Sequence, residues 1–119
     1  MARVTGIGGL FFRARDPAAL SAWYAQWFEI PVGGMPWRQD AGKTVFAPFA
    51  ATTDYFPADR KWMLNLRVEG LSDMIAAFRA QGVAVETRAD WDGDGAYGHF
   101  ARVHDPEGNP IELWEPPAA

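Results

Sequence analysis

The side chains of this sequence that could do chemistry include Arg102, His104 and Glu112, which lie in two neighbouring stretches of the chain. A carboxylate can hold a cation, act as a base or pair with a guanidinium, and a histidine can transfer a proton near neutral pH. Cysteine is absent, so the sequence offers no disulfide, no thiolate nucleophile and no thiolate metal ligand. Glu112 and His104 are therefore the candidates for a catalytic role.

The sequence between these residues predicts how they are paired. Residues 105–109 read Asp-Pro-Glu-Gly-Asn, which suits a three-residue hairpin loop made of a type I turn and a left-handed glycine. If the two ends of this segment oppose each other, Arg102 lies across from Glu112, and Phe100 across from Trp114, on one face of a sheet. A buried carboxylate must be neutral, paired or coordinated, and we therefore predict an ion pair between Arg102 and Glu112.

Other polar side chains are predicted to point to the same side. Met63, Asn65 and Arg67 alternate with apolar residues in a segment that reads as a strand. Arg13 lies on the inward face of an earlier predicted strand. Arg13 and Arg67 could compete for Glu112 or meet an anionic ligand. The alternative is that these two residues and Arg102 all lie at strand ends in solvent.

The sequence is rich in aromatic residues, with six Trp, eight Phe and three Tyr, and these could line a cleft. Such a cleft binds flat or apolar molecules well. The alternative is that the rings fill the cleft themselves or form a dimer contact. The predicted ligand-binding residues are Phe11, Arg13, Phe46, Met63, Asn65, Arg67, Phe100, Arg102, Glu112 and Trp114. Further aromatic residues are predicted at the rim: Trp37, Phe49, Tyr55, Phe56 and Trp62.

A strand–helix–strands pattern occurs twice and would position these side chains. In the first copy Asp16 is placed to cap a helix that starts at Pro17 and ends before Pro31. In the second copy an apolar stripe begins at Leu71 and closes at Gly82. The predicted strands are residues 6–14, 32–38, 44–49, 62–68, 83–87, 97–104 and 110–115.

This duplicated unit, with its closing motif at residues 105–113 (Asp-Pro-Glu-Gly-Asn-Pro-Ile-Glu-Leu), resembles the vicinal oxygen chelate superfamily. That group includes glyoxalase I, bleomycin-resistance proteins, fosfomycin-resistance enzymes and extradiol dioxygenases. The resemblance implies an α+β fold with two tandem βαβββ modules that form curled mixed sheets around a cleft. It places one domain over residues 1–119, with module one at 4–58 and module two at 61–117, and it implies a homodimer.

The resemblance also implies where a metal would be bound, and the sequence departs from that pattern. Metal-using members carry His, Gln or Glu where this chain has Gly9 and Met63, and residues 41–53 supply no carboxylate, His or Gln. Only Glu112 matches a metal-ligand position of the family. Because a hard divalent cation needs several O or N donors, we expect no metal cofactor, with a divalent ion at Glu112 as the alternative.

Together these features predict a glyoxalase/bleomycin-resistance-like protein that binds a small aromatic or apolar molecule without the usual metal centre. The alternative is a metal-dependent lyase, isomerase or dioxygenase with a shifted ligand set including Glu112 and His104, and a third possibility is a dimeric scaffold whose cleft is filled. A net charge of −4 argues against a nucleic-acid partner. No apolar run approaches the roughly 20 residues that span a membrane, and we expect a cytoplasmic chain.

Overall fold

A computed structural model describes residues 1–118 of the chain. It contains helices and a three-stranded mixed sheet, as the α+β class requires. The chain divides into two compact units, Met1–Arg38 and Gln39–Ala119. No helix within residues 1–118 has the length and apolar character to cross a membrane.

The first unit is built on helix α1, Pro17–Phe28, which begins where the sequence predicts. The Asp16 carboxylate accepts a hydrogen bond from the backbone N–H of Ala19 at 3.1 Å and so satisfies a free amide of the first turn. The helix ends at Glu29, which adopts a left-handed conformation with φ of 57°. Leu20 and Tyr24 form its buried face. The predicted cap and boundaries of this helix are confirmed.

The strands predicted in module one are not found. Residues 6–14, 32–38 and 44–49 contain no strand, and a short 3-10 turn occupies Val32–Gly34. The alternating pattern of these segments leaves Phe11 92% exposed and Phe46 85% exposed. A strand needs a hydrogen-bonded neighbour as well as an alternating pattern, and a pattern read locally does not supply one. The two tandem modules therefore remain a prediction.

The second unit contains the sheet, in the order β1-β3-β2. Strand β1 is Leu64–Arg67 and runs parallel to β3, Pro110–Glu115, while β2, His99–His104, runs antiparallel to β3. The predicted strand at 83–87 is reduced to a single bridge, in which Glu86 and Arg102 exchange backbone hydrogen bonds of 2.9 and 2.8 Å.

The hairpin between β2 and β3 has the predicted turn. Gly108 is left-handed with φ of 83°, and its N–H donates to the carbonyl of Asp105 at 2.9 Å. The N–H of Asp105 in turn donates to the carbonyl of Asn109 at 3.0 Å. The resulting register pairs Arg102 with Glu112, as the turn type requires.

The core of the second unit lies on one face of this sheet. Helix α2, Leu71–Ala80, contributes Leu71 and Phe78, which are buried together with apolar side chains of the strands. Burying each such large side chain contributes about 1.5–3 kcal/mol to folding. The buried strand residues are Leu66, Ala101, Val103, Ile111 and Leu113. The opposite face is left for polar and aromatic side chains.

Glu115 caps α2 from the end of β3. Its two carboxylate oxygens accept hydrogen bonds from the N–H groups of Gly70 and Leu71 at 3.1 and 3.2 Å, where the helix has no side-chain cap of its own. We predict that Glu115→Ala lowers the free energy of unfolding by about 1 kcal/mol, because helix caps contribute that much. Urea denaturation measures this loss of stability. The control is Glu69→Ala, because Glu69 is exposed and close in sequence to the start of α2. Equal losses in the two variants would contradict the capping role.

Candidate functional site

The sheet face opposite the core brings together polar and aromatic side chains of all three strands. Residues opposed across a ladder share a face, and the pairs in question are Asn65 with Glu112, Arg67 with Trp114, Arg102 with Glu112, and Phe100 with Trp114. We call Asn65, Arg67, Phe100, Arg102, Glu112 and Trp114 the polar face. All six are predicted ligand-binding residues, and Met63 lies half-buried just before β1.

Glu112 is at the centre of this face and is only 8% exposed. One of its carboxylate oxygens accepts a hydrogen bond from the hydroxyl of Tyr55. The other accepts from the side-chain amide of Asn65 at 2.7 Å. Because hydrogen bonds to an ionised acceptor are about twice as strong as neutral ones, these two donors stabilise the buried carboxylate.

Arg102 is 5% exposed and is held by aromatic rings. Its guanidinium carbon lies 5.2 Å from the ring centroid of Tyr55 and 5.3 Å from that of Trp91. Its Nη2 donates to the backbone carbonyl of Tyr55 at 2.9 Å, while its buried Nε has no hydrogen-bond partner among the described residues. Cation–π contacts of this kind contribute about 0.5–2 kcal/mol each.

The predicted ion pair between Arg102 and Glu112 is wrong, although the register that suggested it is confirmed. Within residues 1–118 the carboxylate of Glu112 and the guanidinium of Arg102 are hydrogen-bonded to other partners, and Tyr55 is a partner of both. Its hydroxyl reaches Glu112, and its carbonyl reaches Arg102. The register of the hairpin determines which residues lie opposite each other. It does not predict that a loop remote in sequence inserts the Tyr55 side chain beside them.

Two aromatic residues extend the polar face as a flat surface. The rings of Phe100 and Trp114 are nearly parallel, with an angle of 8° between their planes and 6.3 Å between their centroids. The indole N–H of Trp114 donates to the carbonyl of Tyr97 at 2.6 Å, which fixes the orientation of the ring. Both residues are only partly buried, so their rings can contact a planar molecule.

An open groove of about 440 Å³ borders the polar face at Arg102. His104 lies beside it, exposed, at the end of β2. The groove is lined by Arg79, residues 84–87, Arg102 and His104. The groove opens to solvent beside Arg102. The catalytic candidate His104 lies on the same strand as Arg102, two residues away.

Three further predicted site residues belong to none of the three strands. Phe11 and Arg13 belong to the unit Met1–Arg38 and are exposed there, and Phe46 is exposed in the second unit. Their roles in ligand binding stay predictions. Arg67 is on the polar face but exposed, and its Nη2 donates to the backbone carbonyl of Asp40 at 2.9 Å.

Sequence patterns do not identify two residues of the site. Tyr55 lies in a loop where only a rim position is predicted, and Trp91 lies in an acidic segment that reads as a solvated turn. The structure places Trp91 on the one-turn helix α3, Ala89–Asp92, with its ring 6.1 Å from that of Tyr55. A lone tryptophan between Asp90 and Asp92 is the one available signal, because a large apolar ring is rarely left in an acidic turn without a contact.

The residues around Glu112 do not fit a divalent cation. Its neighbours Tyr55 and Asn65 donate hydrogen bonds to the carboxylate, and the cross-strand Arg102 carries a positive charge that repels a cation. A hard cation takes several oxygen ligands at once. Within the described residues no cluster of three or more His, Asp or Glu is arranged to hold one.

Tyr55 should titrate unusually late. Burial, reinforced by the hydrogen bond to Glu112, raises the pKa of Tyr55 from 10.0 to about 12. The unfolded chain then loses its proton first as the pH rises, so stability is present below pH 10 and is lost between pH 10 and 12. We expect ultraviolet titration of the three tyrosines to show one late transition that is missing in Tyr55→Phe. A late transition that persists in this variant would contradict the assignment.

Comparison with known proteins gives one match. A family model described as a glyoxalase-like domain matches residues 9–114. No curated protein and no solved structure matches the chain. The matched range includes every residue of the polar face, and it extends over parts of both strand–helix–strands units of the sequence.

Proposed function

The chain belongs to the glyoxalase-like domain family of the vicinal oxygen chelate superfamily, and from that premise we propose that it binds a small aromatic or apolar molecule without a metal centre. The hydrogen bonding of Glu112 is the observation that carries this proposal. Its two carboxylate oxygens accept hydrogen bonds from Tyr55 and Asn65, so the residue at the family's metal-ligand position acts as a hydrogen-bond acceptor within the protein.

The aromatic part of the proposal rests on the surface beside that carboxylate. Phe100 and Trp114 present nearly parallel rings, and Tyr55 and Trp91 present two more around Arg102. A planar ligand gains both apolar burial and ring–ring contact from such a surface. The polar groups of the face would then orient the ligand, as the few polar groups of small-molecule sites do.

A titration with neutral planar molecules tests this proposal. Benzamide and benzyl alcohol, added in a buffer with a chelator, should quench the tryptophan fluorescence and give saturable binding. Trp114→Leu should weaken that binding about tenfold, because a ring contact and its buried area are lost. Trp27→Leu, which removes a tryptophan of α1 that is not among the predicted cleft or rim residues, is the matched control and should bind like the wild type.

The opposite outcome would favour the enzyme hypothesis. If neither molecule binds in chelator, while Zn²⁺, Ni²⁺ or Mn²⁺ raises the melting temperature by several degrees, the proposal fails. A metal that binds the folded chain stabilises it by mass action, so the shift should grow with metal concentration. In that case a shifted ligand set with Glu112 and His104 would be the better account.

We also propose that the chain forms a homodimer, as the family membership suggests. Apolar side chains such as Ile7, Phe11, Val45 and Phe46 are largely exposed in the single chain, and exposed apolar surface of this kind typically marks a contact with another molecule. Sedimentation velocity should give twice the 13.2 kDa mass of the chain at micromolar concentration. A species of the single-chain mass at all concentrations would contradict the dimer.

A further inference from the structure

The environment of Arg102 specifies the ligand more closely. Its guanidinium has five N–H donors, and within residues 1–118 it donates one hydrogen bond, from Nη2 to the Tyr55 carbonyl. The buried Nε has no partner among the described residues. Because buried donors are almost always satisfied, this N–H is available to an acceptor atom of a bound molecule.

The charges of the polar face indicate the sign of that group. Arg67 and Arg102 are positive and Glu112 is negative, and both arginines donate to backbone carbonyls, with no carboxylate partner among the described residues. The face therefore carries an excess of positive charge, although the chain as a whole has a net charge of −4. Arg79 and Glu86 both line the groove that reaches Arg102, so their opposite charges offset each other there. An anion is the complementary ligand for such a surface.

We infer that the ligand of the polar face is a small aromatic carboxylate and that Arg102 binds its carboxylate. This inference rests on the proposed function and specifies the chemical class of its ligand. A planar carboxylate matches the fork formed by the Nε and Nη groups of an arginine, which can make two parallel hydrogen bonds to it.

The spacing of the face suits a molecule with a ring and a carboxylate side by side. Arg102 is two residues from Phe100 on β2, a distance of about 7 Å along a strand. A single benzene ring that contacts Phe100 and Trp114 can therefore place an attached carboxylate at the guanidinium. A larger separation would need a linker between the ring and the carboxylate.

Binding requires the Trp91 ring to move away from Arg102. Trp91 lies on α3, a helix of one turn, which the Asp92 carboxylate joins to β2 through hydrogen bonds of 3.0 Å with the Phe100 N–H and with Nδ1 of His99. The open groove borders Arg102. A ligand carboxylate can then replace the Trp91 ring as the neighbour of the guanidinium.

Benzoate and benzamide, which have the same ring and nearly the same size, test this inference by calorimetric titration of the whole chain. The wild type should bind benzoate at least about tenfold more tightly than benzamide, since a hydrogen-bonded charge is worth that much. Acetate should bind at least tenfold more weakly than benzoate, because the ring contacts are missing. Arg102→Lys keeps the charge without the planar fork, and we expect it to lose most of the preference for benzoate.

Arg88→Gln is the control, because Arg88 also lies over the Trp91 ring, at 5.4 Å, but is exposed and paired with Glu86. It should keep the preference for benzoate. Equal affinity of the wild type for benzoate and benzamide would overturn the inference and leave the proposed function standing, whereas no binding of either would overturn both. A preference that survives Arg102→Lys, or acetate binding as tight as benzoate, would also overturn the inference. The wild-type comparison needs no variant, so misfolding of Arg102→Lys does not prevent the test.

Discussion

Gly98→Ala should destabilise the second unit by more than about 3 kcal/mol, a large fraction of the roughly 5–15 kcal/mol by which ordinary domains are stable. A Cβ at this position would lie 2.1 Å from the carbonyl oxygen of Glu115 and 3.0 Å from its carbonyl carbon. These atoms belong to the backbone of β3 and cannot move without breaking the ladder. The backbone of Gly98 is also in the left-handed region, with φ of 101°, which an alanine adopts at a cost of its own. Thermal and urea unfolding measure the loss.

Gly95→Ala separates the two causes. Gly95 also has a positive φ, 83°, but a Cβ there would meet nothing within 4 Å. This variant should lose only the conformational term, about 1 kcal/mol. Losses of similar size in the two variants would show that the contact with Glu115 is not what requires a glycine at position 98.

Glu112→Ala should cost about 3 kcal/mol or more, which is the second large effect. The substitution removes the acceptor of two hydrogen bonds, leaving the hydroxyl of Tyr55 and the amide of Asn65 without it. It also leaves the buried guanidinium of Arg102 with no negative charge across the strand. Each buried donor left without a partner costs about 1–3 kcal/mol, so the two donors of Glu112 account for most of the expected loss.

A double-mutant cycle separates the hydrogen bonds from the charge. Arg102→Met fills a similar volume without a charge, so Glu112→Ala should cost less in that background, by about 1 kcal/mol or more. Glu112→Gln, which keeps an acceptor oxygen for Tyr55, should cost less than Glu112→Ala. If the cost of Glu112→Ala is the same with and without Arg102, the two residues do not interact across the strand.

The local part of this site could be predicted from the sequence. The Asp-Pro-Glu-Gly-Asn turn fixes the register of β2 and β3, and with it the opposition of Arg102 and Glu112. The alternation along β1 places Asn65 on the same face. The cap at Asp16 and the start of α1 are similarly local, because a side chain and the backbone three residues ahead decide them.

The parts that could not be predicted depend on contacts distant in sequence. Tyr55 is 57 residues from Glu112, and no spacing rule relates a loop residue to a strand residue at that separation. For the same reason the alternating residues 6–14 and 44–49 read as strands, whereas the structure gives them no strand partner. Whether an alternating segment becomes a strand depends on a partner edge, which local patterns do not specify.

The most direct test of metal-free ligand binding follows the indole N–H signals of the six tryptophans by NMR, in protein treated with a chelator. As benzamide is added to saturation, we expect the signals of Trp114 and Trp91 to move, because these rings form the surface beside Glu112 and Arg102. The signals of Trp23 and Trp27 on α1 should stay in place. Signals of Trp114 and Trp91 that stay fixed in chelator and move only after Zn²⁺ is added would contradict the account.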